Sequence, residues 1–220
     1  MQNIDIKHAL YKQVSLIGKA LGHETRLEII EILSQCPQTV EKISDLLSTD
    51  IKSVSAHLKV LSRAGLVSAQ REGRFMRYSI LDSDITHLAV LLRETAQRTI
   101  KPLTELMHSA PPAQTPMPIE EAVNGARDGR VLLIDVRPSE EFAAGHLPHA
   151  VNMPLGELGL NIYNLPNDIE LAAYCRGSFC FKAREAAKIF AQHGRCLHVI
   201  PTGVMEWVSQ GKKLDTEQQI

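Results

Sequence analysis

Through the first half of the chain, apolar residues return every three or four positions, the period of a helix face. Residues 9–21 and 25–33 carry that spacing. Thr39 is placed to cap a helix over 40–47, since a hydroxyl before the first turn takes an otherwise unpaired amide. The Ser48-Thr49-Asp50 cluster caps another over 51–64, and Gly65 stops it. Residues 66–70 and 77–80 read as short strands around a polar turn, Arg71-Glu72-Gly73-Arg74. A long amphipathic helix over 82–107 closes this half.

The second half changes rhythm. Val131-Leu132-Leu133-Ile134-Asp135-Val136 is a short apolar run, followed by a turn at Arg137-Pro138 and a short helix near 140–144. Leu171-Ala172-Ala173-Tyr174 leads into Cys175, a helix covers about 181–193, and Leu197-His198-Val199-Ile200 is another strand. Strands alternating with helices predict a parallel α/β sheet. Between the halves lies Ser109-Ala-Pro-Pro-Ala-Gln-Thr-Pro-Met-Pro118, with four prolines and no charge. Proline fixes φ and removes a donor, so this stretch is a semi-extended linker. The expectation is a mainly α winged helix-turn-helix domain at 1–108, a linker at 109–118 and an α/β domain with a parallel sheet at 119–220.

Length and charge sharpen this little: 220 residues suit two ordinary domains, and the net charge is −1. Locally the picture differs. Lys52, Lys59, Arg63, Arg71, Arg74 and Arg77 face one acid, Glu72, over 51–80. Phosphate binding needs only such a patch, although a solvated charged face has the same appearance. The N-terminus shows no basic segment before an apolar run, and no apolar stretch approaches membrane-spanning length. A cytoplasmic protein with reduced cysteines at 36, 175, 180 and 196 is expected, with no membrane partner.

On the helix after Ser48-Thr49-Asp50, Lys52, Ser53, Ser55, His57 and Lys59 form a polar face, with Val54, Leu58 and Leu61 opposite. Small hydrogen-bonding side chains suit a helix that enters the major groove of double-stranded DNA. Arg71, Arg74 and Arg77 on the hairpin suit backbone or minor-groove contacts. Three blocks in order, Ala20-Leu-Gly-His-Glu-Thr-Arg-Leu-Glu-Ile-Ile-Glu-Ile-Leu33, Val54-Ser-Ala-His-Leu-Lys-Val-Leu-Ser-Arg-Ala-Gly-Leu-Val67 and Arg71-Glu-Gly-Arg-Phe-Met-Arg-Tyr78, resemble winged-helix repressors of the ArsR/SmtB type. The resemblance implies a homodimer, paired through its first and last helices, on a palindromic operator. Many such repressors sense metals, but residues 40–47 lack cysteine, and Asp84, His87, Glu94 and His108 form no tight ligand pair, so no metal and no cofactor are expected. Others sense persulfides through two cysteines. Here Cys36 occupies one such place and the last helix has none, leaving a sensing thiol or a packed structural one.

The blocks Leu132-Leu-Ile-Asp-Val-Arg-Pro-Ser-Glu-Glu-Phe-Ala-Ala-Gly-His-Leu-Pro-His-Ala-Val-Asn-Met-Pro-Leu155, Tyr174-Cys-Arg-Gly-Ser-Phe-Cys180 and Thr202-Gly-Val-Met-Glu-Trp207 resemble a rhodanese domain. Chemistry gives the same focus. A strand-to-helix loop turns successive amides inward, which stabilises a thiolate or persulfide at Cys175. Arg176 adds positive charge, and Gly177, Ser178 and Phe179 complete the anion loop. Cys175 would take the outer sulfur of a donor (thiosulfate, a persulfide or a polysulfide) and pass it to a thiol acceptor. Three departures stand out. Cys180 replaces the arginine usual five residues after the cysteine, Thr202-Gly203 replaces Gly-Gly, and Pro148-His149-Ala150 replaces Pro-Gly-Ala. The first puts thiosulfate in doubt and makes Cys180 either a resolving thiol or a small helix-start residue. Phe181 stands where related phosphatases carry arginine, which argues against phosphate or arsenate chemistry. Cys196, before a strand, reads as structural.

Three functions follow. The first is a sulfur- or redox-responsive repressor acting through a Cys175 persulfide. The second is a sulfurtransferase with an independent autoregulatory DNA-binding module. The third is a degenerate rhodanese fold that only senses. The sequence leaves open turnover, the operator, the donor and acceptor, a Cys175–Cys180 disulfide, and how the two parts communicate.

Overall fold

The computed structural model describes residues 3–109 and 116–216. Two compact units divide at Ala89/Val90.

The first unit runs α1 (Asn3–Leu21), α2 (Glu24–Leu33), β1 (Gln38–Thr39), α3 (Val40–Leu47), α4 (Ile51–Arg63), β2 (Val67–Glu72) and β3 (Phe75–Ile80), then enters α5 (Ser83–Thr99). The expected caps are in place. Thr39 accepts the amide of Lys42 at 3.3 Å, and Asp50 accepts that of Ser53 at 2.9 Å. Gly65 ends α4 with φ +74°, a conformation that costs glycine nothing. Val54, Leu58 and Leu61 on α4, Ile29 and Ile30 on α2 and Ile43 on α3 are all fully buried where these helices meet. Each contributes about 1.5–3 kcal/mol by leaving water. The hairpin is tighter than the sequence suggests: β2 and β3 pair out to Glu72–Phe75, leaving Gly73 and Arg74 as the turn. β1, too short to announce itself, pairs with β3 and gives the order β1-β3-β2.

The expected helix over 82–107 is in fact two, α5 and α6 (Lys101–Ser109). Pro102 is the cause: it has no N–H to donate back and its ring disfavours a helical residue before it. Thr104 Oγ1 donates to Gln97 O at 2.8 Å, pairing a carbonyl at the break.

The rest of the second unit holds α7 (Ile119–Arg127), β4 (Val131–Asp135), α8 (Ser139–Ala144), β5 (Val151–Asn152), α9 (Leu158–Asn161), β6 (Glu170–Cys175), α10 (Lys182–Gln192), β7 (His198–Gly203) and α11 (Val204–Ser209). Its four strands are all parallel, in the order β5-β4-β6-β7. Successive residues of a strand point to opposite faces. On β6, Leu171, Ala173 and Cys175 accordingly join the core on one side, with Phe190 of α10, while Ala172 and Tyr174 join the other, with Trp207 of α11. Of the proline-rich stretch, residues 110–115 lie outside the described residues. Its end is part of this unit: Pro116 bridges Val199 in parallel, Met117 N donates to Val199 O at 3.1 Å, and the Met117 side chain is buried.

Candidate functional site

In a parallel sheet, loops at the carboxyl ends of the strands share one edge, where ligands bind. Cys175 ends β6 there, and the loop from Arg176 to Phe181 carries the chain into α10. Asp135 and Arg137, both fully enclosed, brace this edge. The Arg137 amide and Nε reach Asp135 Oδ1 at 2.9 and 3.0 Å, and Nη2 donates to Gly145 O at 2.8 Å, tying the Asp-Val-Arg block to the Gly-His block. Burial alone would lower the Arg137 pKa, but the facing Asp135 carboxylate raises it. Neighbouring Tyr174 is pushed well up, first by burial and then by the Asp135 charge, and its hydroxyl accepts the amide of Leu147 at 3.1 Å. A pair removed from water this completely costs several kcal/mol in desolvation, so loss of either member leaves an uncompensated charge.

The loop itself departs from expectation. Cys175 and Cys180 are joined as a disulfide, their Cα atoms 6.1 Å apart. Cys175 is buried within the apolar cluster around α10. In this state two of the loop amides are taken by other acceptors: Ser178 N donates to Glu206 Oε1 at 3.0 Å and Cys180 N to Gly177 O at 2.9 Å. Arg176 carries its charge into an ion pair with Glu141, Nε to Oε2 at 2.9 Å, both side chains nearly enclosed. Gly203 lies beside the loop in β7, where an added Cβ would come within 2.2 Å of Cys175 O and 2.7 Å of Gly177 N. This close approach requires glycine there. His149 adopts φ +63°, the left-handed region that the more usual glycine enters without strain.

Sequence reasoning missed Glu141, Glu206 and Arg93. Glu141 belongs to the rhodanese-like block and lies in the first turn of α8, a signal available but unused. Glu206 reaches back with Oε2 to Gly203 N at 2.9 Å, half of a capping box that Gly-x-x-Glu before an apolar turn foreshadows. Arg93, on the part of α5 that belongs to the second unit, places Nη2 3.6 Å from Glu206 Oε1 and its guanidinium carbon 5.4 Å from the Phe179 ring centre. No sequence signal links it to a loop more than eighty residues later. Cys196, read as structural, is exposed.

In the first unit, Lys52, Lys59, Arg71 and Arg74 are exposed, while Ser53, Ser55, His57 and Arg77 are half-buried. The guanidinium of Arg74 covers the Phe75 ring, 4.9 Å from its centre. Arg77 is tied to Glu72 and to Pro37 O, the latter at 3.0 Å, so it also braces the base of the hairpin. His57 lies 4.5 Å from His23, ring centre to ring centre, and burial followed by the charges of His23 and Arg26 lowers its pKa. Cys36 is buried, with Gln38 Nε2 3.0 Å from its sulfur. No three His, Cys, Asp or Glu residues converge on a metal-sized site among the described residues. No described helix is long and apolar enough to cross a membrane.

Residues 119–210 match the rhodanese-like domain family, and residues 21–68 match a helix-turn-helix domain family. The HTH-type transcriptional regulator Rv0324 of Mycobacterium tuberculosis is 35% identical over 215 residues, 96% of this chain and 94% of that protein. A sulfurtransferase of Allochromatium vinosum is 31% identical over 83 residues, 37% of this chain and 75% of its own length. Among solved structures, the homodimeric winged helix-turn-helix DNA-binding domain Mb0332 of Mycobacterium bovis is 35% identical. It covers 46% of this chain and 94% of its own, with a TM-score of 0.43. With a full-length regulator as its relative and both domains matched in order, the chain belongs to the ArsR/SmtB-type helix-turn-helix transcriptional regulators that carry a C-terminal rhodanese-like domain.

Proposed function

We propose that this regulator is a homodimeric repressor whose operator occupancy follows the sulfane-sulfur state of Cys175 and Cys180. The observation that carries the reading is the union of these two sulfurs inside the strand-to-helix loop of a rhodanese-like domain. In the reduced loop, the Cys175 thiolate attacks the outer sulfur of a hydropersulfide and the donor leaves as a thiolate. The Cys180 thiolate then attacks Cys175 Sγ and expels hydrosulfide. The sum is one hydropersulfide and two cysteine thiols giving one thiol, one hydrogen sulfide and the disulfide. Sulfane sulfur is reduced and the dithiol oxidised. A low-molecular-weight thiol resets the pair by exchange.

Lys52, Ser53, Ser55, His57 and Lys59 are assigned to the major groove, and Arg71 and Arg74 to the DNA backbone, with Arg77 holding the hairpin that presents them. Exposed Ile6, Leu10, Val14 and Ile17 recur at helical spacing along α1, and Leu88, Leu91 and Leu92 lie exposed on α5. These two apolar stripes support pairing through the first helix and α5. Cys36, packed and in contact with Gln38, is assigned a structural role.

The test is operator binding by reduced protein before and after polysulfide, in wild type and Cys175→Ser, with mass spectrometry of both cysteines. Polysulfide is expected to join Cys175 to Cys180 and change occupancy in the wild type only. An equal response in Cys175→Ser removes Cys175 as the sensor. The likeness to a sulfurtransferase favours a second reading, in which the loop turns over repeatedly with an external thiol. Many hydrogen sulfide molecules released per chain, with occupancy unchanged, select that reading.

A further inference from the structure

Two guanidinium groups approach the Cys175 loop, and each faces a carboxylate. Arg176 pairs with Glu141. Arg93 faces Glu206, with 11% and 8% of the two side chains exposed. Glu206 is the more consequential acid, because it sits against the loop backbone. Its two oxygens take the amides of Ser178 and Gly203, and both lie 3.0 Å from where a Cβ on Gly177 would stand. Gly177 is two residues beyond Cys175. An internal carboxylate therefore holds an amide that an anion-binding loop would turn to its ligand, and the nearby cations are matched by acids. Lys182 and Arg184 follow on α10, with Arg184 placed 5.4 Å from the Phe181 ring centre.

We infer that Glu206, with Arg93 as its counter-charge, makes this loop select sulfane-sulfur donors of low charge, persulfides and polysulfides, over dianionic thiosulfate. The inference rests on the sulfur-handling role proposed above and names its donor class. A donor that brings two negative charges beside Glu206 meets twice the Coulomb penalty of one that brings a single charge, at a site where water screens little. Arg93 is a positioning residue: it offsets part of the Glu206 charge, stacks near Phe179 and touches no donor.

The experiment compares two donors of similar chemistry and different charge, thiosulfate with two negative charges and an arenethiosulfonate with one. In each, the Cys175 thiolate attacks the terminal sulfur. The new S–S bond forms as the old one breaks, and the electron pair leaves on sulfite or on the arenesulfinate. The readout is the second-order rate constant for loss of the Cys175 thiol in the fully reduced, full-length chain, followed by quenched mass spectrometry. Glu206→Gln keeps the size and one acceptor oxygen but removes the charge. It is expected to raise that constant by about tenfold for thiosulfate and about threefold for the arenethiosulfonate, since the logarithm scales with donor charge. Arg93→Gln is expected to lower both, thiosulfate more. Should Glu206→Gln not fold, Arg93→Gln with the same two donors carries the test.

Equal effects on both donors, or a fall in Glu206→Gln, overturn the inference and leave Glu206 a purely structural cap. A different outcome addresses the parent reading: if the wild type forms no Cys175 persulfide or Cys175–Cys180 disulfide with either donor or with a hydropersulfide, sulfur handling itself is wrong.

Discussion

Replacing Gly203 with alanine places a methyl group where there is no room. The nearest atoms are Cys175 O at 2.2 Å, Gly177 N at 2.7 Å and Arg176 C at 2.8 Å, all backbone. None can swing aside as a side-chain end would, so β7 must draw away from the end of β6. That movement strains the Gly203 N–Glu206 bond of 2.9 Å and the Met205 N–Arg176 O bond of 3.0 Å. Overpacking alone costs about 1–3 kcal/mol. A charge-assisted hydrogen bond adds about 1.5–3 kcal/mol where it is lost. A total of about 3–5 kcal/mol follows, and in a unit running from Val90 to Ile220 each kilocalorie moves the midpoint by about 3–5 °C. The fall in Tm is then at least about 9 °C. Trp207, the only tryptophan in the chain, lies nearly buried on α11 four residues away, so its fluorescence reports this unit during a thermal scan. Thr202→Ala, one residue earlier, serves as the control. A Gly203→Ala midpoint within about 4 °C of wild type would show that the strand contact does not set the loop.

Further expectations concern both units. His149→Gly relieves a left-handed backbone angle that costs a side chain about 1 kcal/mol, so it is expected to raise Tm by a few degrees; a lower Tm would refute the strain argument. The lowered pKa of His57 means the unfolded chain binds its proton more readily than the folded one. Its contribution is thus complete above the unfolded value near 6.5 and is lost as pH falls through the folded value. Urea midpoints at pH 7.5 and 5.5 should differ less in His57→Gln than in wild type, and an unchanged difference argues against it. Arg71→Ala and Arg74→Ala are each expected to weaken operator binding and to reduce the slope of log affinity against log salt by about 1. A slope that does not change would remove that residue from the phosphate-contacting set.

Much of the architecture was legible because it rests on local rules. Thr39, Asp50 and Gly65 mark helix ends by chemistry confined to a few residues, and the apolar run at β4 and the Tyr174-Cys175 strand end speak for themselves. Pro102 is equally legible as the boundary between α5 and α6. β1 escaped because two residues have no periodicity, and it exists only because β3 offers an edge. The loop cysteine was found by its place between strand and helix. What surrounds it was not, since Glu206 and Arg93 arrive from α11 and α5, and nothing in their own neighbourhoods points to residue 175. Charge balance around a site is a property of the folded chain.

The direction of the sheet has a consequence for the thiols. Ala172 on β6 pairs with His198 on β7, and both strands run the same way. Cys175 lies three residues after that pairing and Cys196 two residues before it. Cys175 pairs with Gly203 at the far end of β7 and Cys196 precedes that strand, so at least the length of β7, about 16 Å, separates them. Cys196 is therefore beyond the reach of the loop, yet it faces solvent while Cys36 and Cys175 do not. Electrophiles and mild oxidants meet this bystander first. Alkylation of the native protein would count Cys196 quickly and say nothing of the loop, unless it is first replaced by serine.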